Sequence, residues 1–193
     1  MEEIISPEKI LHLSLNIKGT IFENVFSKME FLGAYEYIME QFQNLMIPTL
    51  SVSITPNNFY SSRYRDEKDQ RRLKNVAPRG PQHDEFMGKF YSLVKKFPPI
   101  SSFETNCIDI MTDIDISNAI RQSGKKVIVL SGFTTDSEIM INSSLLHYNG
   151  FIPVVISDAT STFSERMFFT ALEFISLSGE VIDSRDLMKI WGY

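Results

Sequence analysis

The sequence predicts an α/β fold in which a mostly parallel sheet lies between two layers of helices. Short continuous apolar runs recur along the chain, such as VIVL at residues 127–130. Runs of this kind are typical of strands that are buried on both faces of a parallel sheet. Segments with helical spacing of apolar residues separate these runs. Strands that alternate with helices indicate a three-layer sandwich with helices on both faces of the sheet.

The elements follow from these patterns in chain order. Strands are predicted at about residues 10–16, 48–54, 100–104, 127–130, 151–156 and 179–182. Helices are predicted at about residues 30–45, 84–96, 113–123, 139–148, 163–178 and 184–191. A loop at Gly19-Thr20 and a long polar insertion at residues 55–83 interrupt the series. With 193 residues, the chain is long enough for one complete core, so we expect a single domain over residues 1–193.

Composition excludes several classes of partner. A net charge of −5 and an isoelectric point near 5.3 give no overall attraction to nucleic acid or to an anionic membrane. The single cysteine excludes an internal disulfide framework and favours a reducing compartment. We expect neither a signal peptide nor a membrane-spanning segment, because the first residues are acidic and no apolar run is long enough. The expected location is the cytoplasm, with no nucleic-acid and no membrane partner.

One βαβ unit at residues 124–162 is the most informative stretch of the chain. Ser131 and Gly132 end its first strand, and Thr134, Thr135 and Asp136 are residue types that favour a helix start. Glu138 follows Thr135 by three residues, as in a capping box, and Asn149-Gly150 ends the helix. The turn between strand and helix therefore directs backbone N–H groups and a positive helix dipole towards the edge of the sheet.

The segments GFTTDSEI and HYNGFIPVVISDATST resemble the isochorismatase-like cysteine hydrolase superfamily, which includes isochorismatases, nicotinamidases and N-carbamoylsarcosine amidases. The matching residues are Gly132, Phe133, Thr134, Thr135, Asp136, Gly150, Phe151, Asp158 and Ala159. Glu138 stands at the position of the catalytic cysteine. The resemblance implies a cis peptide between Phe133 and Thr134, and an oxyanion-binding turn formed by Phe133, Thr134 and Glu138.

The resemblance extends through most of the chain and supplies the other two triad positions. LHLSL at residues 11–15 resembles the first strand of the family. In this register Asn16 stands at the family's acidic position, Lys18 at its glutamine position and Phe22 at its aromatic position. A register shifted by two would place Ser14 at the acid position instead. The segment at residues 100–116 resembles the strand that ends in a catalytic lysine. That position is Thr105, because Lys95 and Lys96 lie too far upstream.

A further loop, PRGPQHDEF at residues 78–86, resembles a family loop that begins with an arginine. The resemblance therefore implies Arg79, Phe22 and Asp136 as candidate ligand-binding residues. Nicotinamidases of the family hold zinc with an aspartate and two histidines, but the corresponding stretch here contains no histidine. His12, His83 and His147 are scattered along the sequence, so we expect neither a metal nor another cofactor.

The triad positions decide the expected chemistry. In the active enzymes an aspartate takes the proton of the thiol and a lysine favours the thiolate, which attacks the substrate. Asn16 cannot act as a base, Thr105 carries no charge, and Glu138 is a poor substitute for a thiolate. We therefore expect an inactive member of the family, which binds a small molecule or serves as a structural or regulatory subunit. The expected assembly is a homo-oligomer, a dimer or a tetramer.

Two alternatives for Glu138 stay open at this point. In the first, it acts as a general base for water in an active hydrolase of amide or related C–N bonds. In the second, the structural interpretation, it caps the turn through hydrogen bonds to backbone N–H groups. Cys107, the only cysteine, is interpreted as a small half-buried residue rather than a nucleophile.

Two further segments have structural and functional interpretations. The insertion carries seven basic residues with acidic residues interleaved, which indicates a solvated loop of mixed charge. The alternatives are a phosphate-binding or nucleic-acid-binding surface, or an arginine that reaches an anionic ligand or a neighbouring subunit. Met167, Phe168, Phe169 and Phe174 are interpreted as core or dimer-interface residues.

Overall fold

A computed structural model describes residues 5–55, 67, 70–71 and 82–192 of the chain. Its centre is a six-stranded sheet with the strand order β3-β2-β1-β4-β5-β6, and every neighbouring pair of strands is parallel. Helices cover both faces of this sheet. The predicted α/β three-layer sandwich is therefore confirmed.

The strands are β1 (Ile10–Leu15), β2 (Thr49–Ile54), β3 (Ser101–Thr105), β4 (Val127–Phe133), β5 (Ile152–Ser161) and β6 (Glu180–Ile182). The helices are α1 (Gly19–Phe22), α2 (Lys28–Asn44), α3 (His83–Lys96), α4 (Ile114–Gln122), α5 (Met140–Tyr148), α6 (Glu165–Ile175) and α7 (Ser184–Ile190). Short 3-10 turns lie at Pro7–Lys9 and Ile110–Thr112, and a π-helical turn at Thr135–Ile139 precedes α5.

The alternation of side chains along each strand creates two separate cores. Ile10 and Val129 face a core that includes residues of α1, α2, α3 and α7. Leu11 and Leu130 face the opposite core, to which α4, α5 and α6 contribute. Because successive side chains of a strand point to opposite faces, a strand that is apolar throughout needs helices on both sides. The apolar runs in the sequence are continuous because the strands that they form are covered by helices on both faces.

Some boundaries differ from the prediction. β4 continues to Phe133 and β5 to Ser161, because polar residues such as Ser131 and Thr160 are also held within the sheet. The register between these strands shifts between Leu130 and Gly132. Helix α1 replaces part of the loop predicted at Gly19-Thr20. Within the described ranges, no helix combines the length and the hydropathy that a membrane crossing requires.

Candidate functional site

The three positions that the resemblance assigns to the triad lie at the same edge of the sheet. Leu15 pairs with Gly132 and Ile54 pairs with Thr105, so the carboxyl ends of β1 to β4 lie at the same edge. Asn16 follows β1 directly, Thr105 ends β3, and the turn after β4 begins at Phe133. In open parallel sheets this edge is where ligands bind. The topology thus brings the predicted positions to the place where a site is expected.

The turn after β4 places the Glu138 carboxylate within hydrogen-bonding distance of Thr134. The peptide between Phe133 and Thr134 is cis, as expected. Oε2 of Glu138 accepts a hydrogen bond of 3.1 Å from the Thr134 backbone N–H and another of 2.7 Å from the Thr134 hydroxyl. Glu138 therefore caps the turn, as the structural interpretation predicts. The capping box predicted Thr135 as the partner of Glu138, and the partner is instead Thr134, one residue earlier. The difference arises because the turn is π-helical and contains one extra residue.

Neighbouring side chains and a glycine fix this turn. Gly132 has φ of +112°, and a Cβ atom there would collide with the Leu15 carbonyl oxygen on β1. The hydroxyl of Thr160 donates to the Gly132 carbonyl at 2.8 Å and lies 2.9 Å from the Thr135 hydroxyl. The side of the turn that faces β5 is therefore held by hydrogen bonds within the sheet.

Asn16 joins the ends of two strands. Its side-chain Oδ1 accepts a 2.7 Å hydrogen bond from the Ile54 N–H, and its own N–H donates to the Val52 carbonyl at 2.9 Å. The side chain is buried, and the backbone adopts φ of +50°, a conformation that asparagine tolerates better than most residues. The amide oxygen is thus committed to the β1–β2 junction.

The alternative first-strand position, Ser14, is also engaged in the core. Its hydroxyl lies 2.9 Å from the hydroxyl of Tyr35, and burial raises the pKa of Tyr35 to about 12. Lys18, two residues after Asn16, directs its ammonium group to the Ile54 carbonyl and the Thr55 hydroxyl, each at 3.3 Å. Neither side chain supplies a carboxylate base.

Thr105 organises the loop that leads to α4. Its hydroxyl accepts a 3.2 Å hydrogen bond from the Cys107 N–H and bonds the Asp113 carboxylate, which lowers the pKa of Asp113. Asp113 in turn accepts from the N–H groups of the first turn of α4. Lys96, which lies too far upstream to take the lysine position, forms ion pairs with Glu36 and Glu40 on α2.

The Isochorismatase domain family matches residues 19–186. The chain belongs to this family. No curated protein sequence is significantly similar to it. An isochorismatase family protein from Burkholderia thailandensis is 18% identical with a TM-score of 0.71, over 96% of this chain and 97% of that chain.

Two YcaC structures show the same fold. YcaC from Pseudomonas aeruginosa is 16% identical with a TM-score of 0.69, over 96% of this chain and 81% of that chain. YcaC from Escherichia coli, described as an octameric hydrolase of unknown specificity, is 14% identical with a TM-score of 0.65. The match covers 97% of this chain and 83% of that chain. At these identities the likeness shows the family fold and leaves the chemistry to the site residues.

Two of the three predicted ligand-binding residues, Phe22 and Asp136, lie within the described part of the chain. Phe22 is fully buried, and its ring stacks on Phe90 with 4.4 Å between centroids. Asp136 accepts a hydrogen bond of 2.5 Å from the Thr162 hydroxyl on the far side of the turn. Arg79 lies outside the described residues, as does most of the charged insertion. Within the described part of the chain, no three metal-ligating side chains are grouped.

Sequence analysis of this isochorismatase-family chain missed a buried polar chain in the sheet. Nε2 of His12 lies 2.8 Å from the Ser131 hydroxyl, and its Nδ1 lies 3.1 Å from the Thr49 hydroxyl. These distances match a serine–histidine catalytic pair, but all three side chains are buried. Burial lowers the pKa of His12 to about 3, so the ring is neutral. The only signal in the sequence was a polar residue inside an apolar strand.

The cap formed by Glu138 leads to a stability prediction. Glu138→Ala removes two hydrogen bonds to a carboxylate, and we expect the free energy of unfolding to fall by about 1–3 kcal/mol. Glu138→Gln retains an acceptor oxygen and should lose less. Urea unfolding measures both, and Glu104→Ala, at an exposed carboxylate on β3, is the matched control. Equal unfolding midpoints for wild type and Glu138→Ala would contradict the cap.

Proposed function

We propose that this isochorismatase-family protein lacks the family's cysteine hydrolase activity and acts as a small-ligand-binding, structural or regulatory subunit of a homo-oligomer. One observation carries the proposal. The carboxylate of Glu138 already accepts hydrogen bonds from the Thr134 N–H and hydroxyl, at the turn where the resemblance places an oxyanion site. The side chain that replaces the nucleophile thus occupies donors that an oxyanion would need.

Charge makes this occupation unfavourable for acyl transfer. An oxyanion hole stabilises negative charge that develops in the transition state, and it relies on donors directed at an empty position. A fixed carboxylate at that position repels the developing charge and uses the donors itself. A glutamate oxygen also lacks the nucleophilicity of a thiolate.

The residues at the other two triad positions also support a loss of hydrolase activity. Asn16 has no titratable proton acceptor, and its amide oxygen is bonded to the Ile54 N–H. Thr105 is neutral and bonded to the Cys107 N–H and the Asp113 carboxylate. All three side chains therefore have structural partners in place of the proton relay that the cysteine mechanism needs.

The subunit role has separate support. YcaC from Escherichia coli shares this fold and is an octamer, so we propose that this chain also assembles with copies of itself. The single cysteine supports a reducing, cytoplasmic location. A ligand would bind at the carboxyl edge of the sheet, beside Glu138.

A turnover assay tests the proposal. Purified wild type and Glu138→Ala are incubated with nicotinamide, N-carbamoyl amino acids, isochorismate and simple esters, and product formation is followed. We expect no turnover above the uncatalysed rate by either protein. A compound that raises the melting temperature of wild type without being consumed would support the ligand-binding role.

Turnover by wild type that is lost in Glu138→Ala would overturn the proposal and establish the alternative, a hydrolase with Glu138 as general base. In that case the pH dependence of the rate would report one carboxylate, and this dependence would disappear in Glu138→Gln. Glu104→Ala, at an exposed carboxylate on β3, is the control and should leave any turnover unchanged.

A further inference from the structure

We propose that the outward face of α6 is the surface through which two copies of this chain associate about a two-fold axis. The inference rests on the subunit role proposed above and assigns it a surface and a partner. We define the α6 face as Arg166, Met167, Phe169, Glu173, Phe174 and Leu177. The last of these lies in the turn that follows the helix.

The α6 face exposes large apolar side chains that do not pack into the core of the chain. Met167 is 44% exposed, Phe169 57%, Phe174 51% and Leu177 80%. The opposite side of the same helix already supplies the core residues Phe168, Ala171 and Ile175. A helix that is apolar on both sides is typically buried on both sides, and a contiguous exposed patch marks an interaction surface.

The charges of the α6 face match those of a second copy. Arg166 and Glu173 are exposed, and neither forms an ion pair with another described residue. They are seven residues apart, which is two helical turns or about 10 Å. A two-fold axis near Thr170 would place Arg166 of one copy opposite Glu173 of the other, and this pairing would occur twice. Opposite charges that exchange about an axis indicate a self-complementary surface.

The same axis also pairs the apolar side chains. Met167 of one copy comes opposite Phe174 of the other, and Phe169 lies near its own symmetry mate. Thr170, between them, is small enough for two helices to approach closely. Both charge signs on the face disfavour an anionic membrane as the occupant, since membrane-bound helices carry an excess of basic residues.

The neighbouring helix extends the surface. Leu177 lines a cleft of about 470 Å³ with His147 and Ile152, and Tyr148 at the end of α5 is 84% exposed. A stable interface buries about 800 Å² per partner, whereas a single helix face exposes only a few hundred. The end of α5 adds exposed area beside the α6 face, as a stable dimer requires.

Charge reversal tests the pairing directly. The mass in solution of the full chain is measured by analytical ultracentrifugation over a range of about 1–100 µM, chosen to span typical affinities. Wild type should be a dimer or a larger assembly with an even number of copies. Arg166→Glu and Glu173→Arg each place like charges opposite each other twice, so each should raise the dissociation constant at least about tenfold. The double variant exchanges the charges and should restore the wild-type mass.

Controls separate the α6 face from other exposed apolar positions. Met46→Glu and Ile114→Glu change residues that are 88% and 75% exposed elsewhere, and they should leave the mass unchanged. Phe174→Glu should dissociate the dimer with its circular dichroism spectrum retained. Monomeric wild type, or charge-reversed variants of unchanged mass, would overturn the inference. Monomeric wild type would overturn the subunit role as well, whereas an oligomer that the charge-reversed variants leave intact would overturn only the assignment to the α6 face. Turnover measured on the same samples tests the loss of hydrolase activity separately.

Discussion

Replacing Phe22 with alanine should lower the free energy of unfolding by about 3–5 kcal/mol, the range for deleting a buried aromatic ring. The ring is completely buried and stacks on Phe90 at 4.4 Å between centroids. It also lies 6.1 Å from Phe31 and 6.2 Å from Phe133. No side chain nearby can fill such a cavity, because the neighbouring rings are themselves close-packed.

This effect extends to the candidate site. Phe133 precedes the turn that carries Glu138, and its ring lies 4.4 Å from Phe31 and 6.5 Å from Phe90. The aromatic cluster therefore supports the base of the turn from the α2 side of the sheet. Loss of the Phe22 ring should loosen this support as well as the core.

Thermal and urea unfolding measure the loss. Phe22→Leu keeps most of the apolar volume, and we expect it to lose about 1–2 kcal/mol. Ile114→Ala, at a residue that is 75% exposed, is the control and should change stability by no more than about 0.5 kcal/mol. A Phe22→Ala protein as stable as wild type would mean that the ring faces a ligand site rather than the core.

The fold could be predicted because its signals are local. Continuous apolar runs and helical periodicity specify buried strands and amphipathic helices, and Asn149-Gly150 marks the end of α5 correctly. The extensions of β4 and β5 could not be predicted, since their last residues are polar and are held by partners on other strands. The hydroxyl of Thr160, for example, bonds the Gly132 carbonyl 28 residues away.

The place of the three candidate residues in the fold could be predicted, but their contacts could not. The resemblance placed Asn16, Thr105 and Glu138, and the topology puts all three at one edge of the sheet. Their partners depend on tertiary structure, as the bond between Asn16 and the Ile54 N–H shows. Even the local partner of Glu138 was missed by one residue, because a π-helical turn cannot be distinguished from an α-helical start by residue types alone.

His12 should make the protein markedly less stable in mild acid. Its pKa is about 3 in the folded protein and about 6.5 in the unfolded chain, because burial beside Phe42 of α2 disfavours the charged ring. Below pH 6.5 the unfolded chain therefore binds a proton that the folded protein does not. The stability is fully present above this pH and is lost as the pH falls towards 3, by about 1.4 kcal/mol per pH unit.

Comparison with His12→Gln isolates this contribution. Glutamine can still bond the hydroxyls of Thr49 and Ser131 but does not titrate, whereas His83, His147 and the carboxylates are the same in both proteins. Between pH 6.5 and 5, wild type should lose about 2 kcal/mol more than the variant, although the variant starts about 1–3 kcal/mol lower. Urea unfolding at each pH gives the difference. Parallel pH dependences, or a His12 ring that titrates near pH 6.5 in the folded protein by NMR, would show that the imidazole reaches solvent and that the Ser131–His12–Thr49 chain is not sealed within the core.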